Sequence, residues 1–126
     1  MNYTELVKAT TSSPSEYLCD LVRSLEALEE EGVNSALLLT AAMGLGSESG
    51  EFQEIVKKVI FQGKPLDTRH LIRELGDIMW YWTNACRALG VNPDDVVAEN
   101  VEKLKSRYPA GTFSVEASEN RAPGDL

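Results

Sequence analysis

The stretch ESGEFQEIVKKVIFQGKPLDTRHLIRELGD, from Glu48 to Asp77, decides how this chain folds. It begins with the acidic motif ESGE at positions 48–51 and ends with ELGD at 74–77, and a GKP segment lies between them. Residues three apart on an α-helix are surface neighbours, so each motif places two carboxylates side by side. The stretch therefore predicts two consecutive helices whose four acids can converge.

The apolar residues around both motifs recur at helical spacing. Glu48 and Glu74 fall near the edges of the resulting apolar stripes, and Glu51 and Asp77 lie further round each helix. An unpaired acid at the margin of a buried face is costly, so it requires a partner or a metal ion. Ordinary solvated acids are the alternative, and the sequence leaves it open because Glu26-x-x-Glu29 has the same spacing.

Four converging carboxylates would suit Mg²⁺ or Mn²⁺, since both prefer oxygen ligands to thiolate or imidazole. His70 is the only histidine. We interpret it as a surface residue in a first helical turn, and its solitude argues against a di-iron centre of the E-x-x-H type. No phosphate-binding G-x-x-x-x-G-K-[ST] loop is present.

The composition indicates one domain over residues 1–126 and limits the possible partners. A net charge of −8 argues against a nucleic acid or an anionic membrane, because both require a basic surface. Cys19 and Cys86 lie far apart without a C-x-x-C motif, and we predict buried thiols in a reducing compartment. The first residues do not resemble a signal peptide, so a cytoplasmic location is expected.

The remaining signals predict an all-α helical bundle of four main helices, with a short N-terminal helix and a partly extended tail from about residue 109. Glycines at 44, 46 and 50 interrupt the second main helix, so they indicate either close approach by a neighbour or a break near 44–46. The predicted helices cover residues 2–10, Ser15–Glu31, 35–62, 68–89 and 93–108, and residues 112–115 are a possible extended segment.

Basic and polar residues form two further groups. Those around the acidic motifs are Lys57, Lys58, Lys64, Arg69 and Arg73. As a group they could neutralise phosphate oxygens, although each one alone fits a solvated helix surface. In the last main helix, Asn100, Lys103 and Arg107 recur on one face, which is either a solvated stripe or a polar wall of a site.

Several strings together resemble the MazG-type nucleotide pyrophosphohydrolases, and most of all their small single-domain versions in cyanophages. The strings are SESGEFQEIVKK, FQGKP, RELGDIMWYW, NVEKLKSRYPAGTF and ENR, and the similarity extends over nearly the whole chain. The family pattern is E-E-x-x-E, a spacer, and then E-x-x-D. Glu48, Glu51, Glu74 and Asp77 match it, whereas Ser47 stands in place of its first acid.

The resemblance implies hydrolysis of a nucleoside triphosphate to the monophosphate and pyrophosphate, with Mg²⁺ or Mn²⁺ held by the four acids as the catalytic group. It also implies substrate contacts by Lys58, Tyr81, Asn100, Lys103 and Arg107, and a homodimer or a homotetramer. Guanine nucleotides, dGTP or GTP, are the expected substrates. A pyrimidine or house-cleaning pyrophosphatase and a non-catalytic helical interaction module are the alternatives.

Overall fold

The computed structural model describes all residues 1–126 and contains seven helices and no strand. The prediction of an all-α fold is therefore confirmed. The helices fall into two compact units, Met1–Gly90 and Val91–Leu126, and that these form one domain stays a prediction. None of the helices is both long enough and apolar enough to cross a membrane. The helices are α1 Tyr3–Thr10, α2 Ser13–Glu16, α3 Leu18–Glu30, α4 Ser35–Gln62, α5 Thr68–Leu89, α6 Pro93–Arg107 and α7 Val115–Glu119.

Polar side chains fix the starts of the main helices where the sequence predicts them. Asn34 accepts a hydrogen bond from the backbone of Leu37, and Asn92 accepts one from Asp94. Asp67 accepts one from the backbone N–H of His70 at 3.0 Å. Such caps satisfy the free N–H groups of a first helical turn. The caps therefore set where α4, α5 and α6 begin.

The helix pair α4 and α5 forms the centre of the first unit, and its two helices run antiparallel. The backbone N–H of Asn34, before α4, donates to the carbonyl of Ala88 at the end of α5. Further along, Gly44 of α4 meets Tyr81 of α5. Residue numbers that rise on one helix while they fall on the other define an antiparallel pair. Residues near 48 on α4 therefore face residues near 77 on α5.

α4 continues unbroken through its glycines, but only one of them reflects close approach. A Cβ atom at Gly44 would lie 2.1 Å from the Tyr81 ring, whereas one at Gly46 or Gly50 would meet nothing within 4 Å. Only glycine fits where a ring packs directly on the helix backbone. Gly44 therefore sets the distance between α4 and α5 at this level.

The predicted helix from Ser15 to Glu31 was wrong, because two helices occupy this region. Ser12 and Pro14 begin the short α2, proline being favoured in a first helical turn. Tyr17 then adopts extended backbone angles, φ −117° and ψ 121°, and α3 begins after it. The extended residue interrupts the helical hydrogen bonds between the two segments.

The tail also contains a short helix that the sequence did not predict. Ser114, in the predicted extended segment, has extended backbone angles, and its side chain accepts a hydrogen bond from the backbone of Ala117 and caps α7. One smaller prediction was wrong. Cys86 is buried as predicted, but Cys19 is exposed on α3. Helical periodicity identifies an apolar side of α3 but not whether another element covers it.

The hydrophobic core of the single chain is small. Its buried apolar residues are Ala41, Cys86 and Ala88, and no large side chain is fully buried. Large apolar side chains on α4 and α5 remain in contact with solvent, including Phe61, which is 80% exposed, and Met79, which is 62% exposed. The apolar faces of the two long helices are therefore only partly covered within one chain.

Candidate metal centre

Three of the four predicted acids converge between α4 and α5. Glu48 of α4 and Glu74 and Asp77 of α5 each offer one carboxylate oxygen, and these oxygens lie within 4.8 Å of one another. We call Glu48, Glu74 and Asp77 the acidic cluster. The antiparallel register brings it together one helical turn beyond the contact of Gly44 with Tyr81. Its oxygens are close enough for a single ion to bind all three residues.

Glu74 supplies the most informative atom of the acidic cluster. The residue is only 6% exposed, and its Oε2 is a buried oxygen with no hydrogen-bond partner. Nearly all buried polar atoms in proteins have such a partner, and an isolated carboxylate is especially costly to bury. A divalent cation with a preference for oxygen ligands would satisfy this atom, so the acidic cluster fits Mg²⁺ or Mn²⁺.

The other oxygen of Glu74 faces His70. The distance from His70 Nε2 to Glu74 Oε1 is 3.0 Å, and the imidazole is about half exposed. His70 is thus a surface residue of the first turn of α5, as predicted, but our sequence analysis missed its contact with the acidic cluster. The signal was available, because His70 and Glu74 are spaced i, i+4 and residues so spaced meet on a helix.

Partial burial and mutual repulsion govern the electrostatics of the acidic cluster. Partial burial raises the pKa of the Glu48 carboxyl above its ordinary value, and the neighbouring charges of Glu51, Asp77 and Glu74 raise it further. Glu51 does not belong to the group of converging oxygens, but its charge reaches Glu48. Like charges that oppose ionisation are relieved by a bound cation.

Glu29, which shares the E-x-x-E spacing with Glu26, has a different role. Its Oε1 accepts hydrogen bonds from the backbone N–H and the hydroxyl of Ser35, both at 2.8 Å. The hydroxyl of Ser35, followed by its backbone N–H, lowers the pKa of Glu29. Glu29 therefore stabilises the start of α4 and does not face other acids.

Tyr81, a predicted substrate residue, lines an open cavity of about 440 Å³ beside the acidic cluster. The cavity also contains Ser47, the residue immediately before Glu48. Trp80 packs edge-on against the Tyr81 ring, with centroids 4.9 Å apart. An aromatic face beside hard oxygen ligands could stack on a nucleotide base. The cavity is lined by Leu39, Thr40, Met43, Gly44, Ser47 and Tyr81.

Lys58, another predicted substrate residue, is not close to the acidic cluster of its own chain. It lies ten residues beyond Glu48 on the same helix, a separation of roughly 15 Å along the axis. Its Nζ is 3.6 Å from Glu54, which Lys57 also contacts at 2.9 Å. Within one chain, Lys58 thus belongs to a surface ion-pair group on α4.

The remaining predicted substrate residues lie on α6 in the second unit. Arg107 donates two hydrogen bonds to Asp125, with distances of 2.8 and 2.5 Å, and both side chains are largely buried. Lys103 lies 3.9 Å from the same carboxylate and also contacts the main-chain oxygen of Leu126. Asn100 is exposed. In this unit, the acid of the tail pairs with the predicted phosphate-binding cations.

Comparison with known proteins adds independent information. A family model described as MazG nucleotide pyrophosphohydrolase domain matches residues 38–112, a span that contains all four predicted acids. The chain is also similar to the Gene 37 protein of Mycobacterium phage L5, with 37% identity over 75 residues. That match covers 56% of this chain and 66% of the relative, slightly under two thirds of its length. No solved structure matches the chain.

Proposed function

The chain belongs to the MazG nucleotide pyrophosphohydrolase family, and we propose that it hydrolyses a nucleoside triphosphate to the monophosphate and pyrophosphate with the help of a divalent cation. The observation that carries the proposal is the acidic cluster, whose buried Glu74 Oε2 has no partner. A helix pair that serves only for packing would not retain such an atom at its interface.

The metal ligands in this proposal are Glu48, Glu74 and Asp77, with Glu51 beside them. A bound Mg²⁺ or Mn²⁺ neutralises phosphate charge and makes an attacking water more acidic. The chain holds its carboxylates on two rigid helices, and the contact of Gly44 with Tyr81 fixes the helix separation. The ligands are therefore positioned before the ion and the nucleotide arrive.

The cavity beside Tyr81 is the proposed site of the nucleotide base. Its volume of about 440 Å³ lies within the usual range of small-molecule sites, and Met43 and Tyr81 offer apolar and aromatic surface. Lys103 and Arg107 are the proposed partners of the phosphates, together with Lys58 and Asn100. Because Asp125 already pairs with Arg107, a phosphate would have to replace or share that carboxylate.

Guanine nucleotides, dGTP or GTP, are the proposed substrates. The basis is the resemblance to small phage proteins of this family, and the similar protein of Mycobacterium phage L5 is also from a phage. The alternative within the family is a pyrimidine or house-cleaning pyrophosphatase. The cytoplasm, where nucleoside triphosphates are present, is the proposed location.

The decisive experiment measures pyrophosphate release from a panel of ribo- and deoxyribonucleoside triphosphates, with Mg²⁺, with Mn²⁺ and with excess chelator. We expect release that requires the metal and is fastest with a guanine nucleotide. Full activity in chelator would contradict the metal-dependent mechanism. A preference for pyrimidine nucleotides would support the proposed reaction but contradict the proposed preference for guanine.

A non-catalytic interaction module is the second candidate, and the exposed apolar faces of α4 and α5 favour it. Residues such as Ile60, which is 65% exposed, and Ile72, which is 62% exposed, resemble those of an interface. A pure interaction module would show no thermal stabilisation by Mn²⁺ or by nucleotides, whereas a ligand of the native state must raise the apparent stability.

The same apolar faces support an oligomer of the enzyme. We propose a homodimer or a homotetramer in which second copies cover α4 and α5, because the single chain buries no large apolar side chain completely. Obligate interfaces between identical chains are typically apolar in this way. A light-scattering mass equal to one chain at micromolar concentration would contradict it.

A further inference from the structure

His70 stands next to the acidic cluster without belonging to it. Its Nε2 is 3.0 Å from Glu74 Oε1. A carboxylate oxygen can only accept, so the imidazole can hold Oε1 only with a hydrogen on Nε2. In that tautomer Nε2 faces the carboxylate and is not itself a metal ligand.

The two oxygens of Glu74 are therefore unequal. Oε1 has His70 as its neighbour, whereas Oε2 is buried among the acids and has no hydrogen-bond donor. Two other acids of the chain are satisfied by protein groups: the exposed Glu29 by Ser35, and the largely buried Asp125 by Arg107. An acid that is held at one oxygen and free at the other is the arrangement expected of an oriented metal ligand.

The backbone of His70 is held in place by the N-terminal cap of α5. Its backbone N–H donates to Oδ1 of Asp67, the residue that caps α5. This bond fixes the first turn of α5. Glu74 lies four residues after His70, on the same face of the helix. A short series of contacts therefore runs from the helix cap through His70 to the buried carboxylate.

We propose that His70 is a positioning residue, which holds Glu74 Oε1 and so directs Oε2 toward the divalent cation. The inference rests on the proposed metal-dependent function and goes beyond it, because it assigns a role to a residue outside the acidic motifs. Groups that orient a metal ligand from outside the coordination shell typically change metal affinity by about 10- to 100-fold when they are removed.

The test compares Mn²⁺ binding by the full chain without nucleotide, by titration calorimetry, for three variants. His70→Ala removes the contact, and we expect about 10-fold weaker binding or more. His70→Gln offers an amide N–H at similar reach, and we expect most of the affinity to return. Thr68→Ala truncates an uncharged, exposed side chain of the same helical turn that makes no hydrogen bond with Glu74, and we expect little change.

Thermal unfolding separates positioning from a purely structural role. If His70 positions Glu74, His70→Ala keeps the melting temperature of the metal-free protein but loses much of the stabilisation by Mn²⁺. A structural role would lower the metal-free melting temperature and leave the Mn²⁺ effect intact, and this result would overturn the proposal. So would equal or tighter Mn²⁺ binding by His70→Ala, since His70 would then be a competitor of the ion.

Failure of the proposed function gives a different result. If the wild-type chain binds no Mn²⁺ and releases no pyrophosphate, the metal site itself is refuted, and the role of His70 with it. If the wild-type chain binds Mn²⁺ and releases pyrophosphate while His70→Ala does both equally well, only the role of His70 is refuted.

Discussion

The acidic cluster of α4 and α5 differs from the ion pair of Arg107 and Asp125 in whether a strong protein cation faces the carboxylate. Asp125 receives two hydrogen bonds from a guanidinium, whose planar fork matches both carboxylate oxygens. Glu74 is similarly buried, yet it has only an imidazole at one oxygen and no hydrogen-bond donor at the other. A carboxylate whose two oxygens both meet a protein cation stabilises the structure. A carboxylate with one unbonded oxygen among other acids is suited to binding a metal ion.

The pKa values follow this difference. The Arg107 guanidinium lowers the pKa of Asp125, whereas partial burial and three neighbouring acids raise the pKa of Glu48. The shifts are opposite because Asp125 faces a guanidinium, whereas Glu48 is partly buried among like charges. A bound cation would therefore relieve the charge repulsion that raises the pKa of Glu48.

Substitution in the acidic cluster should have the largest effect. Glu74→Gln and Asp77→Asn keep the side-chain shapes but remove charge, so we expect Mn²⁺ binding and pyrophosphate release to fall by about 100-fold or more, as when a metal ligand is lost. The metal-free protein should unfold at the same temperature or higher, because repulsion within the acidic cluster is reduced. Calorimetric titration and thermal unfolding measure the two effects.

Glu29→Gln is the matched control for these variants. It changes an acid of the same motif type that binds Ser35 rather than facing other acids. We expect a small loss of stability through the weakened start of α4 and unchanged affinity for Mn²⁺. If both Glu74→Gln and Glu29→Gln leave Mn²⁺ binding unaltered, the unbonded oxygen of Glu74 does not bind the ion.

The glycine contact should have an intermediate effect. Gly44→Ala places a Cβ 2.1 Å from the Tyr81 ring, so we expect a destabilisation of about 1–3 kcal/mol and weaker Mn²⁺ binding as α4 and α5 move apart. Gly46→Ala meets nothing within 4 Å and should stabilise the helix by about 0.5–1 kcal/mol. Chemical denaturation of both variants measures the difference, and equal stabilities would contradict the close packing.

The smallest effects should appear in the dependence of stability on pH. The Asp125 pKa lies below its ordinary value of 3.8, so its contribution is present above that pH and disappears as the pH falls through the lowered pKa. Asp125→Asn should remove this dependence and lower stability at neutral pH. Melting temperatures of both proteins between pH 2 and 7 provide the measurement.

The same pH series should show the opposite sign for Glu48. Its pKa lies above 4.5, so the metal-free protein gains stability as the pH falls toward that value and loses it as the pH rises through the raised pKa. Mn²⁺ should remove this loss, because it competes with protons for the carboxylates. An identical pH profile with and without Mn²⁺ would show that the ion does not reach Glu48.

Much of the helical structure could be predicted because its signals are local. Asn34 and Asn92 cap their helices where the sequence places them, and the left-handed Gly63 and Gly90 end α4 and α5. The break at Tyr17 was missed because neither glycine nor proline stands at that position to mark it. A periodic pattern reports which side of a segment is apolar, but it does not report one residue with extended backbone angles.

The candidate site was only partly predictable. The spacing of its acids predicted a group of four, and three of them, Glu48, Glu74 and Asp77, converge. The same spacing ends at Glu29 in an acid that binds Ser35 instead. His70 was dismissed because histidines at helix starts are usually solvated. Its role depends on which oxygen of Glu74 it meets, and that is a matter of side-chain geometry rather than of sequence.

The sequence by itself determined the helices, their caps and the two acidic motifs, because these depend on residues within a few positions of one another. Tertiary structure decided which acids meet one another and which meet a protein donor or cation. That choice follows from the antiparallel register of α4 and α5 and from the contact of Gly44 with Tyr81. Interactions between distant residues depend on how helices pack, and the buried, unpaired oxygen of Glu74 arises only from that packing.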